Sequence, residues 1–201
     1  MRVVKWVLAV LVVAVAGAFL HYVLPKREVV TITSAYNRFV EPGEIRGLRS
    51  LGRTQAQAGR PGVDVFFINA RSRTGRLMEF RNEDTGFGFP PYFKFNSATL
   101  HNRAQEAVST PDNPRWMVIR YYGWRVPFLS MFPNAVGLEP AESRDMRLIP
   151  WFNIVVLTLL AALIWAVWAR VRRWRRRRMD PVAESWRTES ERRRGWAFWR
   201  R

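Results

Sequence analysis

The tripeptide Asp84-Thr85-Gly86 is the part of the sequence that most resembles a catalytic motif. Aspartic proteases use such a D-T-G sequence to bring together two carboxylates that share a proton and activate water. The chain contains one such tripeptide, so a homodimer would have to supply the second carboxylate. Glu83 precedes it where a buried strand needs an apolar residue. The pattern therefore favours a turn in which Asp84 bonds to nearby backbone and Gly86 is left-handed.

Other catalytic and metal-binding chemistry has few residues to draw on. The absence of cysteine excludes disulfides, thiolate metal sites and cysteine nucleophiles. The two histidines, His21 and His101, are far apart in sequence, and His101 is expected on the polar face of a helix. We therefore predict no catalytic residue, no cofactor and no metal, hence no enzyme. A hydrolase centred on Asp84 is the alternative.

Two apolar segments bracket the chain. Residues 6–24 carry no charge and would span about 28 Å as a helix, close to the hydrocarbon thickness of a bilayer. Residues 149–169 are also uncharged and would span about 31 Å. The first segment follows Arg2 and Lys5 and has small residues near Ala16, so a cleavable signal peptide is its alternative interpretation. Two membrane-spanning helices are predicted.

The charge flanking the second apolar segment predicts the orientation. Formal net charge is +17, and residues 169–201 carry 13 basic against 4 acidic residues. Seven arginines follow the segment directly: Arg170, Arg172, Arg173, Arg175, Arg176, Arg177 and Arg178. Because positive flanks remain in the cytoplasm, residues 170–201 form a cytoplasmic tail, and residues 25–148 lie outside, in the periplasm. Residues 1–5 are then also cytoplasmic, because the two spans cross the membrane in opposite directions.

The segment between the spans predicts an α+β domain rich in strands. β-Branched and aromatic runs predict strands over 28–34, 63–70, 77–81, 116–122 and 135–139, with a helix from Asn96 or Ser97 to about Val108. Residues 41–62 are polar and rich in glycine, and are predicted to be a long mobile loop. The order β-β-β-α-β-β fits an OB-like five-stranded barrel, with an SH3-like barrel or an open sheet as alternatives.

Aromatic residues cluster in two stretches, 87–95 and 121–132. Most of these rings are expected in the core, because a small domain needs large side chains to build one. The run from Val126 to Phe132 is the better candidate for a contact with lipid or with a protein. We predict a partner surface formed by Phe128, Leu129, Met131 and Phe132.

The basic tail predicts a lipid interface. Its arginines, with Trp174, Trp196 and Trp199, are suited to the anionic inner leaflet, at about 1 kcal/mol per basic residue. Asp180-Pro181 has the pattern of a helix start. Nucleic-acid binding by the interleaved arginine and tryptophan is an alternative, which we disfavour because lipid is the nearest polyanion.

Several short motifs resemble an uncharacterised bacterial family, domain-of-unknown-function family 1523. They are FINA at 67–70, RNEDTG at 81–86, PPYFKF at 90–95, YGWR at 122–125, FPNA at 132–135 and IPWFN at 149–153. The resemblance covers residues 1 to about 175 and implies an inner-membrane protein of a Gram-negative cell. It supplies no activity or ligand. We expect a periplasmic interaction or scaffold module with an unknown envelope partner, and the sequence indicates no oligomeric state.

Overall fold

The structure is a computed structural model that describes residues 2–40, 63–110 and 112–198, with side chains as far as Arg175. The chain divides into two compact units, Met1–Pro150 and Trp151–Arg201. The loop predicted at 41–62 lies outside the described residues. The first unit contains two α-helices and a barrel, and the described part of the second is a single helix.

Helix α1 comprises Arg2–Val23 and holds the first apolar segment. Residues Val3–Val23 have a mean hydropathy of 2.5, and most of their side chains are exposed. Pro25 disfavours a helical conformation of Leu24, which explains why α1 ends there. The helix is long and apolar enough to cross a membrane.

Helix α3 comprises Trp151–Phe198 and forms the second unit. Its first part, Trp151–Arg175, has a mean hydropathy of 2.3 and also meets the length and composition of a membrane span. The helix start predicted at Asp180-Pro181 is wrong, because α3 passes through both residues without a break. An internal proline removes one helical hydrogen bond, and the surrounding arginines, alanine and glutamate favour helix.

Five strands form a closed barrel in the order β1-β2-β3-β5-β4. They are β1 (Lys26–Val40), β2 (Val63–Ser72), β3 (Leu77–Asn82), β4 (Trp116–Tyr122) and β5 (Asn134–Pro140). The first part of β1, residues 26–31, pairs with β4, and residues 30–40 pair with β2. The pairing with β2 contains a bulge between Ile32 and Ser34. All neighbours are antiparallel except β3 and β5. The predicted α+β class and OB-like barrel are confirmed.

Helix α2 (Ser97–Glu106) connects β3 to β4 and closes one side of the core. Leu100 and Ala104, four residues apart, face the interior and join a cluster that includes Ile32, Ile68 and Phe80. The predicted polar position of His101 is wrong. Its side chain is 6% exposed and stacks on Phe66 with 4.4 Å between ring centres. Burial lowers the pKa of His101.

Candidate functional site

The end of α1 is fixed to the barrel by aromatic contacts. Tyr22 is buried, and its ring meets Tyr122 and Trp124 edge to face at 6.4 and 5.4 Å between ring centres. The indole Nε1 of Trp124 donates to His21 Nδ1 at 2.8 Å, and the Gly123 N–H donates to the Tyr22 carbonyl at 2.9 Å. The helix therefore meets the barrel at a defined joint.

Glycine is required at the centre of this joint. Gly123 has φ of +94°, and a Cβ there would lie 3.4 Å from Pro133 Cα and 3.8 Å from the ring of Tyr22. The left-handed conformation disfavours a side chain, whereas these distances are ordinary van der Waals contacts. The YGWR motif thus places Gly123 where β4 turns beneath the end of α1.

Tyr92 adds a second connection between α1 and the barrel. Its hydroxyl donates to the carbonyl of Val23, and its ring stacks on Tyr122 at 4.6 Å with an interplanar angle of 11°. Burial raises the pKa of Tyr92 well above its usual value, so the hydroxyl remains a donor at physiological pH. The PPYFKF motif thus closes over the last turn of α1.

A buried lysine organises the loop that carries Tyr92. Lys94 is 4% exposed, and its ammonium donates to Asn82 Oδ1, to the Glu83 carbonyl at 3.2 Å and to the Ala135 carbonyl at 2.8 Å. Three acceptors match the three N–H donors of an ammonium group. The backbone N–H of Lys94 also donates to Thr85 Oγ1 at 3.0 Å. Lys94 therefore joins the loop to β3 and β5.

Asn134 completes this polar network at the start of β5. Its Oδ1 accepts from the Glu83 N–H at 2.9 Å, while its Nδ2 donates to the Glu83 carbonyl at 3.1 Å and to the Tyr122 hydroxyl at 3.2 Å. Asn82 Nδ2 donates to the Ser97 carbonyl at 2.9 Å. Residues from RNEDTG, PPYFKF, YGWR and FPNA therefore meet at one end of the barrel, beside α1.

Asp84 holds the start of α2. Its two carboxylate oxygens accept from the backbone N–H and the hydroxyl of Ser97, each at 2.8 Å. Gly86 has φ of +53°, as expected for a turn. Within the described residues no group of three or more acidic or histidine side chains could hold a metal ion. The contacts of Asp84 are those of a helix-capping carboxylate.

A groove of about 900 Å³ opens next to the joint, between the first half of β3 and the loop after β4. Within the described strands, β3 pairs with β5 at Arg81 and Asn134 alone, so the two strands diverge beyond that pair. The lining of the groove includes Lys26, Arg76, Met78, Glu79, Trp124 and Arg125. Its charged side chains are three basic and one acidic. The groove suits a ligand with negative charge and apolar surface.

Three of the groove's four charged side chains take part in ion pairs. Arg125 contacts Glu79 at 3.3 Å and lies over the ring of Phe132, 4.0 Å from its centre. Arg76 contacts Glu28 at 3.1 Å, and Glu28 accepts from the Tyr121 hydroxyl at 3.3 Å. Burial and the Glu28 carboxylate raise the pKa of Tyr121 to about 12. Desolvation lowers the pKa of Lys26.

The residues of the predicted partner surface differ in exposure. Phe128 is 86% exposed and Leu129 is exposed at the end of a short 3-10 helix, Pro127–Leu129. Met131 is half-buried, and Phe132 packs edge to face on Phe67 at 5.3 Å. Phe132 thus contributes to a second small core, while Phe128 projects outward.

The predicted lipid-interface residues lie in α3 as far as the structure describes them. Arg170, Arg172, Arg173, Trp174 and Arg175 are exposed, and the Arg172 guanidinium lies 5.1 Å from the ring centre of Trp168. Arg176, Arg177, Arg178 and Trp196 belong to α3, but their side chains are outside the described set, and Trp199 is outside the described residues.

Sequence reasoning missed the polar network and misplaced part of the aromatic set. Lys94, Asn82 and Asn134 are charged or polar and would be assigned to the surface by type. The one available signal was Lys94 itself, a lone basic residue within an aromatic run. The expectation that most clustered rings lie in the core is wrong for 87–95, where four phenylalanines are exposed: Phe87, Phe89, Phe93 and Phe95. All four are next to glycine, proline or the buried Lys94 in the sequence.

The class of protein is defined by an OB-like barrel that is bonded to one helix able to span a membrane and is followed in the chain by a second such helix. The chain belongs to the family described as "Protein of unknown function (DUF1523)", whose model matches residues 1–175. An uncharacterised protein of Haemophilus influenzae is 32% identical over 155 residues, covering 77% of this chain and 83% of that protein. No solved structure matches significantly.

Proposed function

We propose that the protein is a non-enzymatic inner-membrane scaffold, whose periplasmic barrel binds another envelope component in the groove beside α1. The groove's position carries the proposal: its lining includes Lys26 and Trp124, which belong to the joint with α1. A component bound there would be held at the membrane surface. The groove's basic excess favours a partner segment with acidic and aromatic residues.

The proposed topology has two spans with both termini in the cytoplasm. It is supported by two helices of suitable length and by the arginines that follow Trp168. Cleavage of α1 as a signal peptide is disfavoured, because the apolar run continues past the small residues near Ala16 as far as Leu24. A single cysteine added before α1 or after α3 should be protected from impermeant maleimide in intact spheroplasts, and one at Phe39 should react.

Photocrosslinking in living cells tests the groove. Leu77, 71% exposed on the groove's rim, is replaced by p-benzoylphenylalanine in the full chain. We expect a discrete adduct with an envelope component. Arg125→Glu should reduce its yield about tenfold or more, since a lost and reversed charge contact at an interface costs about 2 kcal/mol. Arg103→Glu, an exposed charge reversal on α2, is the matched control and should leave the yield unchanged. Equal yields in the two variants would contradict the groove assignment.

The tail is proposed to bind anionic lipid of the inner leaflet. Four described arginines, Arg170, Arg172, Arg173 and Arg175, would contribute about 4 kcal/mol together at about 1 kcal/mol each. Changing all four to glutamine should reduce the phosphatidylglycerol and cardiolipin that co-purify with the full chain. Unchanged lipid content would leave these arginines as topology signals alone. Nucleic-acid binding by the tail would instead show retention on single-stranded DNA in the presence of excess anionic vesicles.

A further inference from the structure

We propose that the loop from Gly86 to Phe95, here called the aromatic loop, inserts into the bilayer leaflet on the barrel's side. This inference goes beyond the scaffold proposal and rests on one part of it, namely that α1 crosses the membrane. The loop presents four exposed rings within nine residues: Phe87 at 87%, Phe89 at 47%, Phe93 at 58% and Phe95 at 60%. Such a patch on a small domain is an interaction surface.

Three of the four rings form a connected patch. Phe87 meets Phe93 at 6.0 Å and Phe95 at 5.5 Å between ring centres, both in edge-to-face geometry. No charged residue occurs between Gly86 and Phe93. Desolvating this part of the loop therefore removes no charge from water, which is the requirement for entry into the headgroup and acyl boundary.

Contact with α1 identifies lipid as the occupant. Phe89 stacks on Phe19 with 5.6 Å between ring centres and 18° between planes. Phe19 lies four residues before the end of α1 at Val23, which is about 6 Å along the helix at 1.5 Å per residue. The aromatic loop therefore extends alongside the apolar helix, and a bilayer that surrounds Phe19 also meets Phe89.

The aromatic loop is held in this shape by the barrel. Lys94 points inward to the polar network, while its neighbours Phe93 and Phe95 face outward. Phe93 has φ of +48°, a conformation that is unfavourable for a non-glycine residue and is kept only where the surrounding structure holds it. The Gly86 N–H donates to the Lys94 carbonyl at 3.0 Å and closes the loop. The rings are thus exposed by a constrained backbone, and insertion needs little ordering of the loop.

Quenching of a site-specific label tests the insertion. The natural chain has no cysteine, so F87C and F95C each give one labelling site for an environment-sensitive fluorophore in the full-length protein. The labelled proteins are reconstituted in nanodiscs of phosphatidylethanolamine and phosphatidylglycerol. F39C is the matched control, because Phe39 is also an exposed phenylalanine, thirteen residues beyond Lys26 along β1. Near-ultraviolet circular dichroism checks that each variant retains its fold.

We expect the labels on F87C and F95C to lose about half of their emission or more when lipids carry a nitroxide near the glycerol end of the acyl chain, since interfacial segments insert by about 5–10 Å. Iodide in the buffer should quench them less than it quenches F39C. Strong iodide quenching of all three labels would overturn the insertion. Protection of F87C and F95C from both quenchers would also overturn it, in favour of a second copy of the chain. Loss of insertion with the groove crosslink intact would leave the scaffold proposal standing.

Discussion

Replacing Lys94 by methionine should destabilise the barrel more than any other lysine substitution in the chain. The ammonium of Lys94 meets three oxygens, one from Asn82 and two from backbone carbonyls. Each buried acceptor left without a donor costs about 1–3 kcal/mol. Because the substitution also removes the desolvation cost of a buried charge, we use about 1 kcal/mol for each of the three acceptors, or about 3 kcal/mol in total. At about 4 °C per kcal/mol for a domain of this size, Tm should fall by about 12 °C.

The assay is thermal unfolding of the full chain in mild detergent, followed by near-ultraviolet circular dichroism. The stacked Tyr92 and Tyr122 contribute to that signal and report on the site itself. Lys26→Met is the matched control. Lys26 is half-buried and makes one long bond, to the Gly123 carbonyl at 3.4 Å, so its loss should cost less than about 1 kcal/mol. If the two variants unfold at the same temperature, Lys94 does not hold the loop and the network argument fails.

Three further predictions concern the joint, α2 and its cap. Gly123→Ala should lower the free energy of unfolding by about 1–3 kcal/mol through its φ of +94°, whereas Gly137→Ala meets only the flexible end of an arginine and should cost less. Because burial lowers the folded-state pKa of His101 below 6.5, the unfolded chain takes up its proton first as pH falls. The contribution of His101 to the free energy of unfolding should be constant above pH 6.5 and decrease below it by up to about 1.4 kcal/mol per pH unit. His101→Phe should abolish this pH dependence when thermal unfolding is measured at a series of pH values. Asp84→Ala should destabilise by about 1 kcal/mol through loss of its bonds to Ser97 at the start of α2, and Asp84→Asn, which keeps an oxygen acceptor of the same reach, should recover most of the Tm.

The strands of the barrel could be predicted because their alternation is local. Val29, Val30 and Ile32 in β1 and the run WMVIRYY in β4 have the composition of strands that pack against a core. The second half of β1, from Ala35 to Val40, was missed. Its polar residues form a strand because β2 supplies a ladder partner for each of them, and that partner is encoded some thirty residues away. Tertiary pairing overrode a weak local preference there.

The polar network could not be predicted for the same reason. Lys94 is buried by acceptors from β3 and β5, and the carbonyl of Ala135 lies 41 positions further along the chain. His101 is a polar residue in α2, and its ring is covered by stacking on Phe66 of β2. Residue type predicts exposure for both, and only the three-dimensional arrangement of the strands reverses it.

The bonding of the network also indicates which parts of the molecule are available for function. Lys94 uses all three donors, Asn134 uses its oxygen and its nitrogen, and Asp84 uses both oxygens, all within the chain. A catalytic centre must keep a polar group for its substrate, whereas a rigid support satisfies every group internally. The network therefore supports the aromatic loop, which contains Lys94 itself. Lys94→Met should accordingly impair lipid quenching at F87C, while Arg125→Glu should impair crosslinking at Leu77 and leave that quenching unchanged.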